Sequence, residues 1–555
     1  MIRHQSTGLT LALLAILLVA GAATAAQDRA LKPGESIEIE LRAGQSQNFK
    51  LALSPLDYAQ LSVNPRNQEI TVKIVAPGGK EVIARDLPRD SAGAATVSFV
   101  AGYWGDFRLE ITSREKDGAG EKIEIRFAES RTVEPRDADR IAAERAFAEG
   151  EQFRARESNE ERRPAIAKYQ EALRLWQTAG DRAGQANALN AVGRVYDNLN
   201  DRNKAFANFT EALEIRRELK DRAGEAASLN GLANVYNTRG ERRKAFETFQ
   251  QVLQIRRELN DRRGEGGALH SIALVHQALN ERDQALKNYT EALKLRREVG
   301  DRRGEASTLT QLGVLSRQMG NYAQALDYYN QSLPIFQAAD DKRGEAATIG
   351  NIGTLFLFQG KRKEALPHLE RAYEIQRALG LRRQEAVSLY NIGAVYNELG
   401  EQQKALDYLN RALQLQSEIK DQAVEAATLQ MIGAVHSELG EKRRALDYFN
   451  QARPLLRSTG GPAQEALAIS SIGGIYDTFG DRQRALDSYQ EALSRWRVAK
   501  DPALQAAALN NIGSLYSSLG ERQLAIEHFN QALELRLKLG NPFEVAMLRN
   551  KLGVV

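Results

Sequence analysis

Two periods divide the chain. From about Gln27 to Arg131 apolar residues alternate with polar ones, as in Ile37, Ile39, Leu41 and again in Ile70, Val72, Ile74. A period of two puts every second side chain on one face, as a β-strand does. Turn-forming runs at Ala43-Gly44, Ala76-Pro77-Gly78-Gly79 and Lys116-Asp117-Gly118 separate the segments and predict seven or eight short strands through Phe127. Many short strands of this kind predict a small β-sandwich, with Phe107, Leu109 and Ile111 inward. After Pro135 the alternation stops. Apolar residues then recur three and four apart, as in Leu229, Leu232, Ala233 and Tyr236, which makes one buried stripe on a helix.

The helical part repeats itself. Units of forty residues begin at 181, 221, 261, 301, 341, 381, 421, 461 and 501 without an insertion. Each reads as a helical hairpin whose link is Gly240, Gly320, Gly360, Gly400, Gly440, Gly480 or Gly520, with Asn200 and Asn280 in the other two units. Gly and Asn enter the left-handed conformation cheaply, so this position ends the first helix. Gly also stands inside the first helix, at Gly193, Gly313, Gly353, Gly393, Gly433, Gly473 and Gly513, with Ala233 and Ala273 completing the set. A mid-helix Gly costs about 1 kcal/mol against Ala, so its recurrence calls for close helix packing. The second helix answers with a small residue in every unit, from Ala205 to Ala525, and an aromatic or Leu four residues later, as in Phe209, Tyr289 and Leu369.

These marks resemble the tetratricopeptide repeat in a forty-residue variant, over about 400 residues. The resemblance implies a mainly α fold, a right-handed α-solenoid of helical hairpins preceded by the β-sandwich, with first helices lining a concave groove. The sandwich itself resembles the pre-peptidase C-terminal type found in exported bacterial proteins. The expected organisation is a signal peptide over 1–26, the sandwich over 27–133, and a linker with a first irregular repeat over 134–180, carrying Ala165, Tyr169 and Ala172. Nine regular repeats over 181–540 and a partial repeat or capping helix over 541–555 complete it.

The resemblance places the face one residue away from the buried stripe in the groove. Its first position reads Asn190, Asn230, His270, Thr310, Gly350, Tyr390, Gln430, Ser470 and Asn510. The second includes Arg194, Asn234, Leu274 and Val314, and the third Asp197, Asn237, Gln277, Arg317, Leu357 and Asn397. Amides hydrogen-bond an extended backbone without the desolvation cost of full charges, so this face suits a peptide or protein partner. Leu274, Val314, Leu357 and Phe358 stand where Asn or Ser sits elsewhere and predict an apolar anchor, packing against a neighbouring helix being the alternative.

Charge and chemistry narrow the function further. The formal net charge of +4 over 555 residues gives no strong field, so nucleic acid is not an expected partner. Arg216-Arg217, Arg256-Arg257 and Arg296-Arg297 are each followed by Glu and Asp, which reads as a solvated, ion-paired outer face. There is no cysteine, and none of the six histidines has a partner at metal or catalytic spacing. His276 and His436 fall on the Tyr236 core position and read as packed rings. No enzymatic motif, cofactor or metal is expected. Arg3 and His4, the apolar run Leu9 to Val19 and the small residues Gly21 to Ala26 read as an export signal cleaved near Ala25 or Ala26, with an uncleaved anchor as the alternative. The expected address is periplasmic or secreted. Signal, sandwich and repeats in this order resemble the non-catalytic part of bacterial CHAT-domain proteins, whose caspase-like peptidase needs a His and Cys pair absent here. The leading expectation is therefore a non-enzymatic binding scaffold. The alternative is the regulatory portion of such a peptidase without its catalytic domain.

Overall fold

A computed structural model describes residues 29–65, 68–87, 95–114, 121–154, 156, 159–459 and 461–555. The signal-peptide reading and the turn at Lys116-Asp117-Gly118 lie outside these residues. Nine strands precede 21 helices among the described residues. The strands are β1 (Arg29–Leu31), β2 (Ser36–Leu41), β3 (Ser46–Leu53), β4 (Asp57–Asn64), β5 (Ile70–Val75), β6 (Glu81–Leu87), β7 (Ala95–Val100), β8 (Gly105–Ser113) and β9 (Glu121–Thr132). Nine exceeds the seven or eight expected. The three-residue β1, too short to show an alternation, pairs in parallel with β3.

The strands form two sheets, ordered β1-β3-β8-β5-β6 and β2-β9-β4-β7. Their inner faces share one apolar core to which Leu51, Val72, Phe107 and Ile111 contribute from one sheet and Leu61, Phe99, Ile125 and Phe127 from the other. The alternation read from the sequence is therefore the sandwich core seen edge on, including the inward set Phe107, Leu109 and Ile111.

The helices are α1 (Pro135–Arg154), α2 (Asn159–Thr178), α3 (Arg182–Asn198), α4 (Arg202–Glu218), α5 (Arg222–Thr238), α6 (Arg242–Glu258), α7 (Arg262–Ala278), α8 (Arg282–Glu298), α9 (Arg302–Gln318), α10 (Tyr322–Ala338), α11 (Lys342–Phe358), α12 (Arg362–Ala378), α13 (Arg382–Glu398), α14 (Gln402–Ile419), α15 (Gln422–Glu438), α16 (Lys442–Thr459), α17 (Gly461–Thr478), α18 (Arg482–Val498), α19 (Pro502–Ser518), α20 (Arg522–Lys538) and α21 (Pro542–Val554). From α3 onward odd and even helices alternate as first and second helices of helical hairpins. The chain falls into two compact units. One holds the sandwich and the helices through Val235, and the other runs from Tyr236 to Val555 with Glu157–Glu160.

Each hairpin link is left-handed at the residue the sequence singles out, from Asn200 at φ 62 to Gly520 at φ 80. The link to the following unit is left-handed as well, but there Lys220, Asp340 and Lys420 do the same work as Gly300 and Gly380. That second turn had no compositional mark. Inside the first helices the glycines meet the residue foreseen for them: a Cβ on Gly193 would lie 2.9 Å from Phe209, and one on Gly513 would lie 2.8 Å from Phe529.

In six of the nine units the opening Asp caps the first helix; the units at Leu381 and Gly461 have no Asp there, and the Asp421 side chain makes no cap hydrogen bond. Asp181, Asp261 and Asp301 accept from the backbone N–H three residues on, at 2.8, 2.8 and 3.1 Å. The donor is glycine because the end of the preceding second helix fills the space: Trp176 lies against Gly184, Arg216 against Gly224 and Phe336 against Gly344. The arginine pairs therefore split. Arg216 and Arg296 are buried and reach Asp221 and Asp301, whereas Arg217, Arg257 and Arg297 are half exposed and hold the buried Glu225, Glu265 and Glu305 at 2.9, 2.7 and 2.8 Å. The expected outer face is ion-paired but solvated on one side of each pair only, because the first arginine of each pair packs under the next helix.

Gln416 occupies the place of Arg216 in a later unit, fully buried, and neither side-chain polar atom has a protein partner. Its counterparts are satisfied, Gln376 by Ser388 at 2.7 Å, or apolar, as Leu456. Gln416→Leu is expected to raise stability by about 1–2 kcal/mol, since an unmade buried hydrogen bond costs about that much. Thermal unfolding of the full chain checks it, and a lower midpoint would show that the amide is satisfied in solution.

Candidate binding face of the first helices

Successive first helices lie side by side, α7 beside α9, α9 beside α11 and α13 beside α15. Their shared face carries the three positions read as a groove. Side chains forty-one residues apart meet across it: Gln277 Nε2 donates to Gln318 Oε1 at 2.9 Å, and the Arg317 guanidinium stacks 4.6 Å over the Phe358 ring. Thr310 and Thr348 meet one row deeper at 3.2 Å.

In the first unit, Asn190 is buried and its Oδ1 has no protein partner. Arg194 is 3.6 Å from Glu151 Oε1, which also accepts from the Tyr169 hydroxyl at 2.6 Å, while Arg154 donates to Glu151 Oε2 at 2.7 Å. The charge of Arg194 is thus internally balanced. Asp197 is half buried, and burial raises its carboxyl above the ordinary range against the pull of Arg202. Asn230 and Asn234 are half buried.

In the second unit Asn237 is half buried. His270 lies edge-on to Tyr289, with Nδ1 3.3 Å from Thr308 Oγ1, and burial beside Arg296 lowers it to about 3, so the ring is neutral. Gln277 accepts from the Tyr289 hydroxyl at 2.9 Å. Leu274, Val314 and Leu357 are half buried against three successive core clusters, which makes them chiefly packing residues. Phe358 is different, at 58% exposure. Tyr390 is half buried, burial pushing its hydroxyl up, and Asn397 Oδ1 is buried without a protein partner. Asn510 is taken: Lys551 of α21 donates to Asn510 Oδ1 at 2.8 Å and to Ser514 Oγ at 2.9 Å. The sequence reading had no mark for Lys551, because its position is not a lysine in the regular units.

Arg317, like Lys551, has no carboxylate within ion-pairing distance among the described residues, and unlike Lys551 it has no amide partner across the face. Its Nε is buried without a hydrogen-bond partner, and it lies beside the buried Tyr329 hydroxyl, which burial raises to about 12 against the pull of the guanidinium. The stacked ring fixes the plane of the guanidinium, so its outer N–H groups present one edge.

The Tetratricopeptide repeat family profile matches residues 165–218, 200–258, 224–298, 264–338, 304–378, 344–418, 384–458 and 464–538, together more than half of the chain. The chain belongs to the tetratricopeptide repeat family. Among solved structures, this tetratricopeptide repeat chain resembles a signal transduction ATPase with numerous domains, with a tetratricopeptide repeat sensor, from Pyrococcus horikoshii. Identity is 16%, the TM-score is 0.51, and the match covers 76% of this chain and 65% of that one, just under two thirds of its length. It is also similar to the apo form of the quorum sensor NprR from B. thuringiensis, at 15% identity and TM-score 0.45, over 60% of this chain and 97% of that one. No curated protein matches the chain significantly.

Two further histidines, His276 and His436, serve the tetratricopeptide hairpins themselves. His276 Nδ1 is 2.6 Å from Glu281 Oε2, with the ring edge-on to Phe246, and His436 is 2.7 Å from Glu441 and stacked on Tyr448. Each ties the end of a first helix to the start of its second. Among the described residues no group of three His, Cys, Asp or Glu could hold a metal ion, and no helix is long and apolar enough to cross a membrane.

Proposed function

We propose that this chain is an exported binding scaffold that holds a peptide or protein partner on the face of its first helices. The observation that carries the reading is Arg317: a guanidinium without a carboxylate partner, stacked on the exposed Phe358 and flanked by the amide pair Gln277 and Gln318. A side chain so placed offers directed donors beside an apolar surface, the combination that anchors a polypeptide. Export rests on the residues before Gln27 and is supported by their order of basic, apolar and small segments.

Affinity capture from an envelope extract with the full chain as bait, followed by titration of the captured partner, tests the binding reading. Replacing Arg317 and Phe358 by Ala is expected to weaken binding at least tenfold, the scale of an interface anchor. Replacing the exposed pair Arg371 and Glu374, on a second helix, is expected to leave it unchanged. Equal loss from both variants, or from neither, would move the binding site away from the first helices.

A further inference from the structure

β7 is an edge strand of the four-stranded sheet, so alternate backbone groups on its outer side have no strand to pair with. Two side chains supply the missing partners. The Ser98 N–H donates to Glu144 Oε2 at 2.8 Å, and the Ser98 hydroxyl donates to Glu144 Oε1 at 2.6 Å. Arg85 Nη1 donates to the Thr96 carbonyl at 2.6 Å and lies 3.7 Å from Glu144 Oε2. Glu144 belongs to α1 and is 4% exposed, so a carboxyl group joins the helical part of the chain to the sheet edge.

The groups around it come from five elements besides its own. From β4, the Tyr58 hydroxyl donates to Ser98 Oγ at 2.9 Å and Gln60 Nε2 donates to that hydroxyl at 3.0 Å. β7 brings Ser98 and β6 brings Arg85. From β9, Arg131 stacks 4.6 Å over the Tyr58 ring. At the start of α3 stands Asp181, whose charge acts on Glu144 and which lies 3.6 Å from Arg140 Nε. α1 itself adds Arg140, Asp137, and Arg145, whose charge acts on Arg85.

We propose that Glu144 is a protonation-gated latch: the neutral carboxyl keeps α1 on the edge of β7, and ionisation loosens it. Complete burial penalises the charged form more than Arg85 and the two Ser98 donors favour it, which raises the carboxyl from 4.5 to about 7. Burial likewise lowers Arg85 from its ordinary value. When the helix lifts, Glu144 meets water and regains its ordinary acidity, so lifting is coupled to release of a proton. The contribution to the closed junction is complete below pH 4.5 and is lost as pH rises through about 7. This latch does not depend on the partner-binding reading.

Hydrogen exchange of the full chain between pH 5 and 8, corrected for the intrinsic pH dependence of exchange, reads the latch in peptides covering β7 and α1. Protection is expected to fall roughly tenfold per pH unit up to a midpoint near 7, the slope of one released proton. Glu144→Gln, neutral at every pH, is expected to give a flat profile. Arg85→Gln removes the counter-charge and is expected to move the midpoint upward. A flat wild-type profile, or an unchanged slope in Glu144→Gln, overturns the proposal. If Glu144→Gln does not fold, the wild-type slope and the Arg85→Gln shift decide between the same two answers.

Discussion

Gly313→Val is expected to destabilise the repeat array by about 2–3 kcal/mol, although valine is the better helix former. The reason is a single contact. A Cβ at residue 313 of α9 would lie 2.4 Å from Cε1 and 2.7 Å from Cδ1 of Tyr329 on α10, and the Tyr329 ring is fully buried and cannot swing aside. Overpacking of this size costs about 1–3 kcal/mol before the second methyl is added, and the gain in helix propensity is a few tenths. Gly267 in α7 is the matched control, since nothing lies within 4 Å of its Cβ direction. Gly267→Ala should stabilise by about 1 kcal/mol, the ordinary difference between the two residues in a helix. Denaturant unfolding of both variants checks the pair. If both glycines respond with the same sign, the interior glycine is not there for packing.

The same contact explains why so much of this fold is legible. A repeat prints one packing solution nine times, so a constraint that is ambiguous once becomes plain by recurrence. Gly313 against Tyr329 and Gly193 against Phe209 are one rule, and the left-handed links at Asn200 and Gly240 are another. Where the rule is written in backbone geometry alone the sequence is silent. Lys220, Asp340 and Lys420 are left-handed because the hydrogen bonds of the helix end hold them so, with Asp221 N donating to the Arg216 carbonyl at 2.9 Å, for instance.

The candidate site was less legible, for a physical reason. Its positions were identifiable because they break the repeat, but what each side chain does depends on a neighbour about forty residues away. Arg317 and Phe358 are ordinary singly; stacked, they hold a half-buried cation in one plane beside an exposed ring. Asn510 looks like Asn230 in sequence and differs because Lys551 lies over it. Leu274, Val314 and Leu357 read as an anchor and are mostly spent on packing, since a half-buried residue on a first helix also touches the next hairpin. Partnerships between singular residues do not recur, so no periodicity announces them.

The junction of sandwich and helices holds the last expected result: Asp137→Asn should cost about 3 kcal/mol at neutral pH, the scale for breaking a buried ion pair. Asp137, at the start of α1, is fully buried and accepts from Arg131 at both oxygens, 2.7 and 2.8 Å away, and from the Glu134 N–H at 2.7 Å. The Arg131 hydrogen bonds lead in holding its carboxyl below the ordinary 3.8, against the opposing effect of burial. A depressed carboxyl stabilises above its unfolded value and loses that contribution as pH falls through its folded value. The gap between wild type and Asp137→Asn should therefore be full at pH 5 to 7 and close below about pH 4. Glu144 acts in the opposite sense on the same helix, its contribution fading as pH rises through about 7. Two carboxylates on one helix with opposite displacements give the junction a stability maximum between them, in the mildly acidic range. Thermal unfolding of the full chain as a function of pH locates it. The acid limb should vanish in Asp137→Asn and the alkaline limb in Glu144→Gln; if one substitution removes both limbs, the two groups titrate as a single coupled site.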